Sequence, residues 1–316
     1  DNPTPNLVSD TDEYALVSGG YFHTCGLLTN GSVKCWGTCS EYRCGRSDTS
    51  TTSTPTLIDN ADWQFRMIDA GDDHVCGILV NNSLVCWGSG DESQLGHGST
   101  SDSLPTIIDP GVEYLTVSAG LDHSCAIRKS DNRVLCWGYN DQYEVGDGTT
   151  TRRNSPTLTS DDIGYRYVSA GRQFSCGITL EGQVRCWGTG SYGLGDGSNF
   201  ANQVPDSILD NSSYLVVEAG ENFACGLRTD ATVWCWGEND DRRLGKSEST
   251  TTDDSLGPTV IYNVSAVSLG SSSNLSQHAP LYPTAGRDLM VSLVDDTYVS
   301  SGENWTLSCH VQDSLS

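Results

Sequence analysis

Twelve of the thirteen cysteines in this chain form six closely spaced pairs, and paired thiols can either form disulfides or bind a metal. Five pairs have nine or ten intervening residues, and Trp-Gly follows the second cysteine each time: Cys25/Cys35, Cys76/Cys86, Cys125/Cys136, Cys176/Cys186 and Cys225/Cys235. Zinc sites use closely spaced ligands and four of them, whereas one such pair supplies two. Disulfides are therefore the favoured prediction, and metal binding is the alternative.

The segment around each pair has the pattern of a β-hairpin. In the first copy, Gly26–Leu28 and Ser32–Lys34 flank Thr29-Asn30-Gly31, a three-residue loop whose glycine suits a left-handed conformation. Counting back from the loop places Cys25 opposite Cys35, where cross-strand Cβ atoms lie about 4.5–5.5 Å apart. In the third pair the extra residue falls within the turn. The spacing predicts disulfides that each close one hairpin.

The hairpin belongs to a longer unit that occurs five times. A glycine after a small residue marks each copy, at intervals of 49 or 51 residues: Gly20, Gly71, Gly120, Gly171 and Gly220. Self-similarity at such a period indicates a repeat architecture. We predict a repeat domain over residues 1–257 and a separate segment over residues 258–316.

The repeat pattern is V-x-A-G-x-x-H-[ST]-C-[GA]-[LI], a turn, V-x-C-W-G and then L-G-D-G. It resembles the repeat of the regulator-of-chromosome-condensation family, and its cysteine-bearing form is similar to the crinkly-type repeats of plant receptor-kinase ectodomains. The resemblance covers residues 4–257 and implies an all-β fold, a β-propeller of about five blades. A closed ring of five is favoured. The alternative is part of the seven-bladed ring usual in the family.

Residues 258–316 depart from the repeat pattern. The stretch from Gly257-Pro258 to Trp305–Val311 resembles part of an immunoglobulin-like plexin/transcription-factor module. We therefore expect a small, incomplete β tail. Cys309 has no partner in the repeat pattern and is expected to bond to another chain or to residues beyond Ser316. An incomplete sheet also offers an edge to a second copy.

Two other residue types recur at fixed repeat positions. A tryptophan follows the second cysteine of every repeat, at Trp36, Trp87, Trp137, Trp187 and Trp236. Packing between blades is the favoured role, and a lectin site is the alternative. His23, His74 and His123 share another position, but Phe174 and Phe223 replace them in the last two repeats. Because phenylalanine cannot bind a metal, the histidines are expected to be structural.

The first repeat has an additional pair, Cys39 and Cys44, in the loop after Trp36-Gly37. The second repeat has Ser89–Gly96 at this place, without cysteine. A sixth, local disulfide that pins the loop is the favoured interpretation. A specialised binding loop is the alternative.

Acidic residues dominate the charge, with 41 Asp and Glu against 17 Lys and Arg and a formal net charge of −24. Nucleic acid is excluded as a partner, because phosphate binding needs concentrated basic residues. Solubility of an exposed surface is the simplest explanation. The loops after Trp-Gly carry candidate binding-face acids: Asp91, Glu92, Asp141, Glu144, Glu238, Asp240 and Asp241. A basic partner or Ca²⁺ is the alternative interpretation, and no other cofactor is expected.

Cysteine use and glycosylation signals both indicate an oxidising compartment. Six Asn-x-Ser/Thr sequons are candidate N-glycosylation sites: Asn30, Asn81, Asn211, Asn263, Asn274 and Asn304. The sequence has no apolar run of about eighteen residues, so no membrane span is expected in this segment. Secretion or a cell-surface location is predicted.

Catalytic motifs such as G-x-S-x-G, HExxH or a P-loop do not occur. We therefore expect a non-enzymatic, extracellular interaction or structural module. The favoured function is a glycosylated subunit of a cell-surface or extracellular assembly, a filament or matrix, that contacts copies of itself through the tail. The alternative is a ligand-binding receptor ectodomain or a propeller-type inhibitor or lectin.

Overall fold

The structure is a computed structural model that describes residues 8, 10–189, 193–239, 244 and 255–265. Within these residues, twenty strands form five four-stranded antiparallel sheets, and each sheet uses four strands that are consecutive in the chain. This arrangement confirms the predicted all-β propeller of five blades. We number the strands β1–β20 and the blades 1–5 in chain order.

Each blade is a meander of four strands. The first strands are Tyr14–Gly19 (β1), Phe65–Ala70 (β5), Tyr114–Ala119 (β9), Tyr165–Ala170 (β13) and Tyr214–Ala219 (β17). The second strands are His23–Leu28 (β2), His74–Leu79 (β6), His123–Arg128 (β10), Phe174–Thr179 (β14) and Phe223–Arg228 (β18). The third strands are Val33–Gly37 (β3), Leu84–Gly88 (β7), Val134–Gly138 (β11), Val184–Gly188 (β15) and Thr232–Gly237 (β19). The outer strands are Thr52–Leu57 (β4), Ser103–Ile108 (β8), Arg153–Leu158 (β12), Asn202–Ser207 (β16) and Ser255–Ser265 (β20).

The second and third strands of each blade form the predicted hairpin. In blade 1, the Gly31 backbone has φ +86° and the register pairs Cys25 with Cys35. Asn82 and Asn132 take the left-handed position in blades 2 and 3, which fits the tolerance of asparagine for this conformation. Turn chemistry therefore fixes which residues face each other across the hairpin.

Apolar side chains pack between blades. Four hydrophobic clusters are found in the described residues, and each one joins two consecutive blades. Between blades 1 and 2, for example, Leu27 and Val33 lie in one cluster with Ile68 and Trp87. None of the four clusters contains residues of both blade 5 and blade 1, so the described residues do not show the closed ring of five that the sequence favoured. Each blade is thus too thin to enclose a core, and its neighbour supplies the second layer.

The marker glycines lie where the blades approach each other most closely. A Cβ atom built on Gly20 would lie 2.4 Å from the carbonyl oxygen of Gly71, and one on Gly71 would lie 2.2 Å from that of Gly120. Gly120 and Gly171 make the same contact with the next marker glycine at 2.3 and 2.4 Å. Because any side chain would collide with backbone, the repeat requires glycine here.

Blade 5 extends past the boundary expected at residue 257, since β20 pairs with β19 and reaches Ser265. The tail from residue 266 to residue 316 lies outside the described residues, and so does Cys309. The immunoglobulin-like resemblance of this segment stays a prediction.

Candidate functional site

The structure joins the two cysteines of each hairpin. The Cα atoms of all five cross-strand pairs are 4.1 Å apart, and their Sγ atoms lie at bonding distance. The pairs are those that the spacing predicts: Cys25–Cys35, Cys76–Cys86, Cys125–Cys136, Cys176–Cys186 and Cys225–Cys235. Every cysteine among them except Cys225 is fully buried. Each cross-link therefore stays within one blade, and those of blades 1–4 lie in the cluster shared with the next blade.

The sixth pair, Cys39–Cys44, closes the loop after β3 of blade 1. The loop holds a short 3₁₀ turn, Ser40–Tyr42, in which Glu41 and Tyr42 have φ of +55° and +58°. Two consecutive left-handed residues that are not glycine carry local strain. Arg43 braces the loop, with its guanidinium 2.5 Å from Glu41 and 2.9 Å from Asp73 of blade 2.

The repeated tryptophans connect one blade to the preceding one. Each indole Nε1–H of blades 2–5 donates to a loop carbonyl of the blade before it, as Trp87 does to Arg43 at 3.2 Å and Trp137 does to Gln94 at 2.8 Å. The bonds of Trp187 to Glu144 and of Trp236 to Gly193 are both 2.9 Å. All four of these tryptophans are fully buried. A buried indole presents no face to a sugar, so packing is their role.

The repeated histidines lie in the same interfaces. His74 Nε2 is 2.8 Å from Ser124 Oγ, and His123 Nε2 is 2.8 Å from Ser175 Oγ, in each case a serine of the next blade. Val75 occupies the repeat position of these serines in blade 2, and neither ring nitrogen of His23 has a hydrogen-bond partner. Burial lowers the pKa of His74 and His23 to about 3, the Arg43 charge adding to the effect at His23. The histidine side chains are therefore uncharged near neutral pH and pack between blades.

A second hydrogen-bonded series runs along the first strands. The side chain after the repeat valine accepts a backbone N–H from the next blade, as Ser18 Oγ does from Ala70 at 2.9 Å and Asp69 does from Ala119 at 2.9 Å. Ser118 and Ser169 do the same for Ala170 and Ala219. Burial raises the pKa of Asp69 to about 6, although these bonds act in the opposite direction. The x of the repeat motif is thus an inter-blade acceptor.

The predicted binding-face acids have different environments. Asp91 and Asp141 are exposed, Glu92 forms an ion pair with Arg152, and Glu238 accepts a hydrogen bond from Asn222 at 2.9 Å. Asp240 and Asp241 lie outside the described residues. The first four share one end of the propeller, where a loop leaves the third strand of each blade. We call this end the loop face.

Glu144 does not belong to this surface, which corrects the sequence-based assignment. Its side chain is fully buried, and burial raises its pKa to about 7. One carboxylate oxygen accepts the Gln142 N–H at 2.9 Å, and the Glu144 carbonyl accepts the Trp187 indole. The repeat position is that of Gln94 and Arg43, whose backbone carbonyl forms the interface. The residue type suggested a surface acid, whereas its repeat position indicates an interface residue.

Among the described residues, no group of three or more His, Cys, Asp or Glu is placed to hold a metal ion. None of their helices is long and apolar enough to cross a membrane.

The described sequons share the opposite end of the propeller, which we call the hairpin face. Asn30 and Asn81 are exposed at hairpin tips, and their Oδ1 atoms accept the N–H of Ser32 and Ser83 at 2.9 and 3.0 Å. Asn211 is exposed in the link to blade 5, whose Tyr214 N–H bonds to the hairpin-tip residue Gly182. The side chain of Asn263 and all of Asn274 and Asn304 lie outside the described residues.

Known proteins share both the repeat and the fold. The pattern described as "Regulator of chromosome condensation (RCC1) repeat" matches residues 15–43, 68–94, 115–144, 165–194 and 216–242, one stretch in each blade. A longer form of the same repeat matches residues 82–127 and 131–178, and together the matches cover more than half of the chain. The repeat assignment made from the cysteine-bearing motif is confirmed.

Individual relatives are distant. The ultraviolet-B receptor UVR8 of Arabidopsis thaliana is 28% identical over 184 residues, which are 56% of this chain and 42% of that protein. The chain spans less than half the length of the curated relatives it matches. These relatives share the repeat with this chain, and their own activities are not carried over to it.

Two solved structures have the same fold. Human WBSCR16 superposes with a TM-score of 0.69 at 23% identity, covering 78% of this chain and 66% of that one. Yeast RCC1 (Prp20), solved bound to Kap60, superposes with a TM-score of 0.68 at 19% identity, covering 88% and 63%. The RCC1-type propeller is a protein-interaction module. With a repeat match in every blade and RCC1 propellers among its structural neighbours, this chain belongs to the regulator of chromosome condensation (RCC1) repeat family.

Proposed function

We propose that this chain is an extracellular, non-enzymatic interaction module that serves as a glycosylated subunit of a cell-surface or extracellular assembly. The buried cysteine pairs carry the proposal, because every blade contains one and blade 1 contains two. Disulfides persist in secreted proteins, whereas cytosolic reductants keep thiols reduced. A chain with twelve cysteines placed in this way is suited to an oxidising environment.

The stability of thin blades supports the same conclusion. A disulfide that closes a loop of this size adds about 2–3 kcal/mol in the chain-entropy account. We expect protein produced through a secretory pathway to lose most of its thermal stability when reductant is present. A melting temperature that is unchanged after complete reduction, with alkylation to verify it, would contradict the extracellular assignment.

Glycans would occupy one end of the molecule. The exposed Asn30, Asn81 and Asn211 all lie on the hairpin face, and a glycan there leaves the loop face and the sides of the blades free for protein contacts. We expect glycosidase treatment of secreted protein to lower its mass, and Asn30→Gln to remove one glycan unit. Secreted protein whose mass is the same before and after treatment would refute the glycoprotein assignment.

The partners we propose are proteins, including further copies of this chain, and not nucleic acid. The loop face carries the exposed acids Asp91 and Asp141. Burial raises the pKa of Asp122 to about 6, the charges of Glu92 and Asp73 add to the shift, and those of Arg172 and Arg152 oppose it. A negative surface of this kind repels phosphate and attracts basic protein surfaces. Binding of Ca²⁺ by these loops, and self-association through the tail, stay predictions.

A receptor ectodomain or inhibitor is the second candidate, and the stapled loop of blade 1 favours it. Tyr42 lies in a strained turn held by Cys39–Cys44, and the aromatic pair Tyr21 and Phe22 is 52% and 57% exposed. Exposed aromatic side chains near a rigid loop are typical of binding surfaces. Electron microscopy of the native protein separates the candidates, since ordered multimers support the assembly and uniform monomers support a ligand-binding domain.

A further inference from the structure

The disulfide Cys39–Cys44 has different surroundings from the five hairpin disulfides. Every hairpin cysteine lies in a strand that is paired on both sides, as Cys25 of β2 is with β1 and β3. Cys39 and Cys44 instead flank the short 3₁₀ turn Ser40–Tyr42, in the loop that follows β3. Two strand pairings must therefore break before a hairpin disulfide opens, whereas this disulfide needs only a movement of its loop.

Arg43 holds this loop in place. Its N–H donates to the Ser40 carbonyl at 3.2 Å, its carbonyl accepts the Trp87 indole at 3.2 Å, and its guanidinium is 2.9 Å from Asp73. Trp87 and Asp73 belong to blade 2, so the loop lies between two blades that the structure describes. A segment held by a few side-chain contacts opens at a lower free energy than a strand inside a sheet.

A positive charge lies beside one of the two sulfur atoms. Arg46 Nη2 is 3.3 Å from Cys39 Sγ, and Arg46 Nε has no hydrogen-bond partner among the described residues. The Asp48 carboxylate is 4.0 Å from the other terminal nitrogen of Arg46 and is exposed, so it screens this charge only weakly. Because a neighbouring guanidinium stabilises a thiolate, Cys39 is the better leaving group of the pair.

We propose that Cys39–Cys44 is a thiol-exchange site, a disulfide that small-molecule thiols open while the five hairpin disulfides stay closed. The thiolate of the small molecule forms a bond with Cys44 Sγ, the bond between the two cysteines breaks, and its electron pair leaves with Cys39 Sγ beside Arg46. The product is a mixed disulfide at Cys44 and a thiolate at Cys39.

A second thiol molecule completes the reduction. It attacks the sulfur that the first molecule contributed to the mixed disulfide, and Cys44 leaves as a thiolate. Two thiol molecules are thereby oxidised to one small-molecule disulfide, and the cysteine pair gains two electrons and two protons.

Opening this bond would change the loop face at the junction of blades 1 and 2. The closed loop holds Glu41 and Tyr42 at φ of +55° and +58°, a conformation that costs energy for residues other than glycine. Without the cross-link these residues can leave it, while Cys25–Cys35 still closes the hairpin of blade 1. The inference goes beyond the proposed function, since it requires neither a glycan nor an assembly.

Timed reduction of the full, secreted and oxidised chain tests the proposal. The probe is reduced glutathione under native conditions, with an acid quench, alkylation of free thiols and mass spectrometry of the peptides. We expect Cys39 and Cys44 to react at least about tenfold faster than any hairpin cysteine, which serves as an internal control. Equal rates, earlier reaction of a hairpin, or no reaction of Cys39–Cys44 in the folded protein would overturn the proposal.

The position of the first glutathione adduct tests the role of Arg46. We expect the adduct mainly on Cys44, a preference that Arg46→Gln should reduce and Arg46→Lys should retain. Both variants alter the same loop, so this ratio separates the charge from the stability of the loop. Arg152→Gln in blade 3 is the matched control and should leave the ratio unchanged. Equal adducts on both cysteines of the parent chain would contradict the proposed direction of exchange.

A double variant tests the effect on the loop. Cys39→Ser/Cys44→Ser removes the cross-link, so we expect faster hydrogen exchange at residues 38–45 and unchanged protection in β2 and β3. Unchanged exchange at residues 38–45 would show that the bond does not control the shape of the loop. Uniformly slow reduction of all six disulfides would overturn this inference and leave the proposed function intact, because that function requires only that the disulfides form.

Discussion

Blades 1 and 2 carry similar residues on the side of the repeat valine and tryptophan, but the surroundings of that side differ. Val17 and Trp36 in blade 1 correspond to Ile68 and Trp87 in blade 2, yet Val17 is 36% exposed and Ile68 is fully buried. The difference arises from the preceding blade, which is present for blade 2 and whose Arg43 carbonyl accepts the Trp87 indole. The repeat motif thus encodes half of an interface, and its burial depends on a partner blade.

The four closed interfaces also differ among themselves in one buried pair. Two of them pair histidine with serine, at His74/Ser124 and His123/Ser175. The interface of blades 4 and 5 has Phe174 and Ala224 instead. In the interface of blades 1 and 2, valine (Val75) stands at the repeat position of these serines, and the buried His23 imidazole has no hydrogen bond. The exchange of both residues together shows that polar and apolar versions fit the same space.

The largest expected difference in stability is between replacing a tryptophan that the preceding blade covers and replacing the half-buried Trp36 of blade 1. Trp137→Ala deletes a fully buried side chain and its bond to Gln94, so we expect a loss of about 3–5 kcal/mol in the free energy of unfolding. Trp36→Ala removes a half-buried side chain from blade 1, and its cost should be less than half of that. Chemical denaturation measures both values. Equal losses would mean that Trp36 is covered as completely as Trp137.

Replacing the serine of a hydrogen-bonded histidine–serine pair by valine should have the next largest effect on stability. Ser124→Val gives blade 3 the residue that blade 2 has at this position, and it removes the hydrogen bonds to His74 and to the Gln94 carbonyl. We expect a destabilisation of about 1–3 kcal/mol, the usual cost of an unsatisfied buried polar group. A neutral result in thermal unfolding would show that the histidine–serine pair contributes no stability.

The histidine interfaces should also make stability depend on pH. Burial lowers the pKa of His74 to about 3 and that of His123 to about 4, whereas an unfolded histidine titrates near 6.5. The unfolded chain therefore binds more protons below pH 6.5, and each such histidine destabilises the fold by about 1.4 kcal/mol per pH unit as the pH falls toward the folded pKa.

Carboxyl groups oppose this trend. Asp69, Asp122 and Glu144 have raised pKa values, so the folded state binds protons at these groups before the unfolded state does. A difference measurement isolates the histidine contribution. The double variant His74→Phe/Ser124→Ala copies the interface of blades 4 and 5, and it should lose about 1 kcal/mol less than the parent between pH 6.5 and 5.5, because the unfolded histidine is only half protonated at the upper pH. Parallel pH profiles for the two proteins would contradict the assignment.

The smallest expected change in stability comes from a variant in the interface between blades 1 and 2. Val75→Thr keeps the branched shape and offers a hydroxyl to the unpaired His23 ring. A new buried hydrogen bond should add about 0.5–1.5 kcal/mol to the free energy of unfolding. Thr179, which is buried in blade 4 away from any histidine pair, provides the reverse control as Thr179→Val, which should not stabilise the protein. A loss of stability in Val75→Thr would show that the site has no room for the hydroxyl.

Much of the fold follows from local sequence. Cysteine spacing and the Thr29-Asn30-Gly31 turn predict the hairpin register, and the glycine period predicts five blades. Glu144 was placed wrongly, because an acidic residue in a loop indicates solvent unless its carbonyl is known to receive Trp187 from the next blade. The role of Asp69 as a hydrogen-bond acceptor and the exposure of Val17 were not predicted, for a similar reason. Both depend on contacts between residues about fifty positions apart, which a single repeat does not reveal.

Each blade is closed by its own disulfide, and no disulfide among the described residues joins two blades. Mass-spectrometric mapping of disulfides in the unreduced native protein tests it most directly. We predict linked peptides within each blade, Cys25 with Cys35 and so on through Cys225 with Cys235, and Cys39 with Cys44. Free thiols at these positions, or linked peptides from two different blades, would contradict the claim.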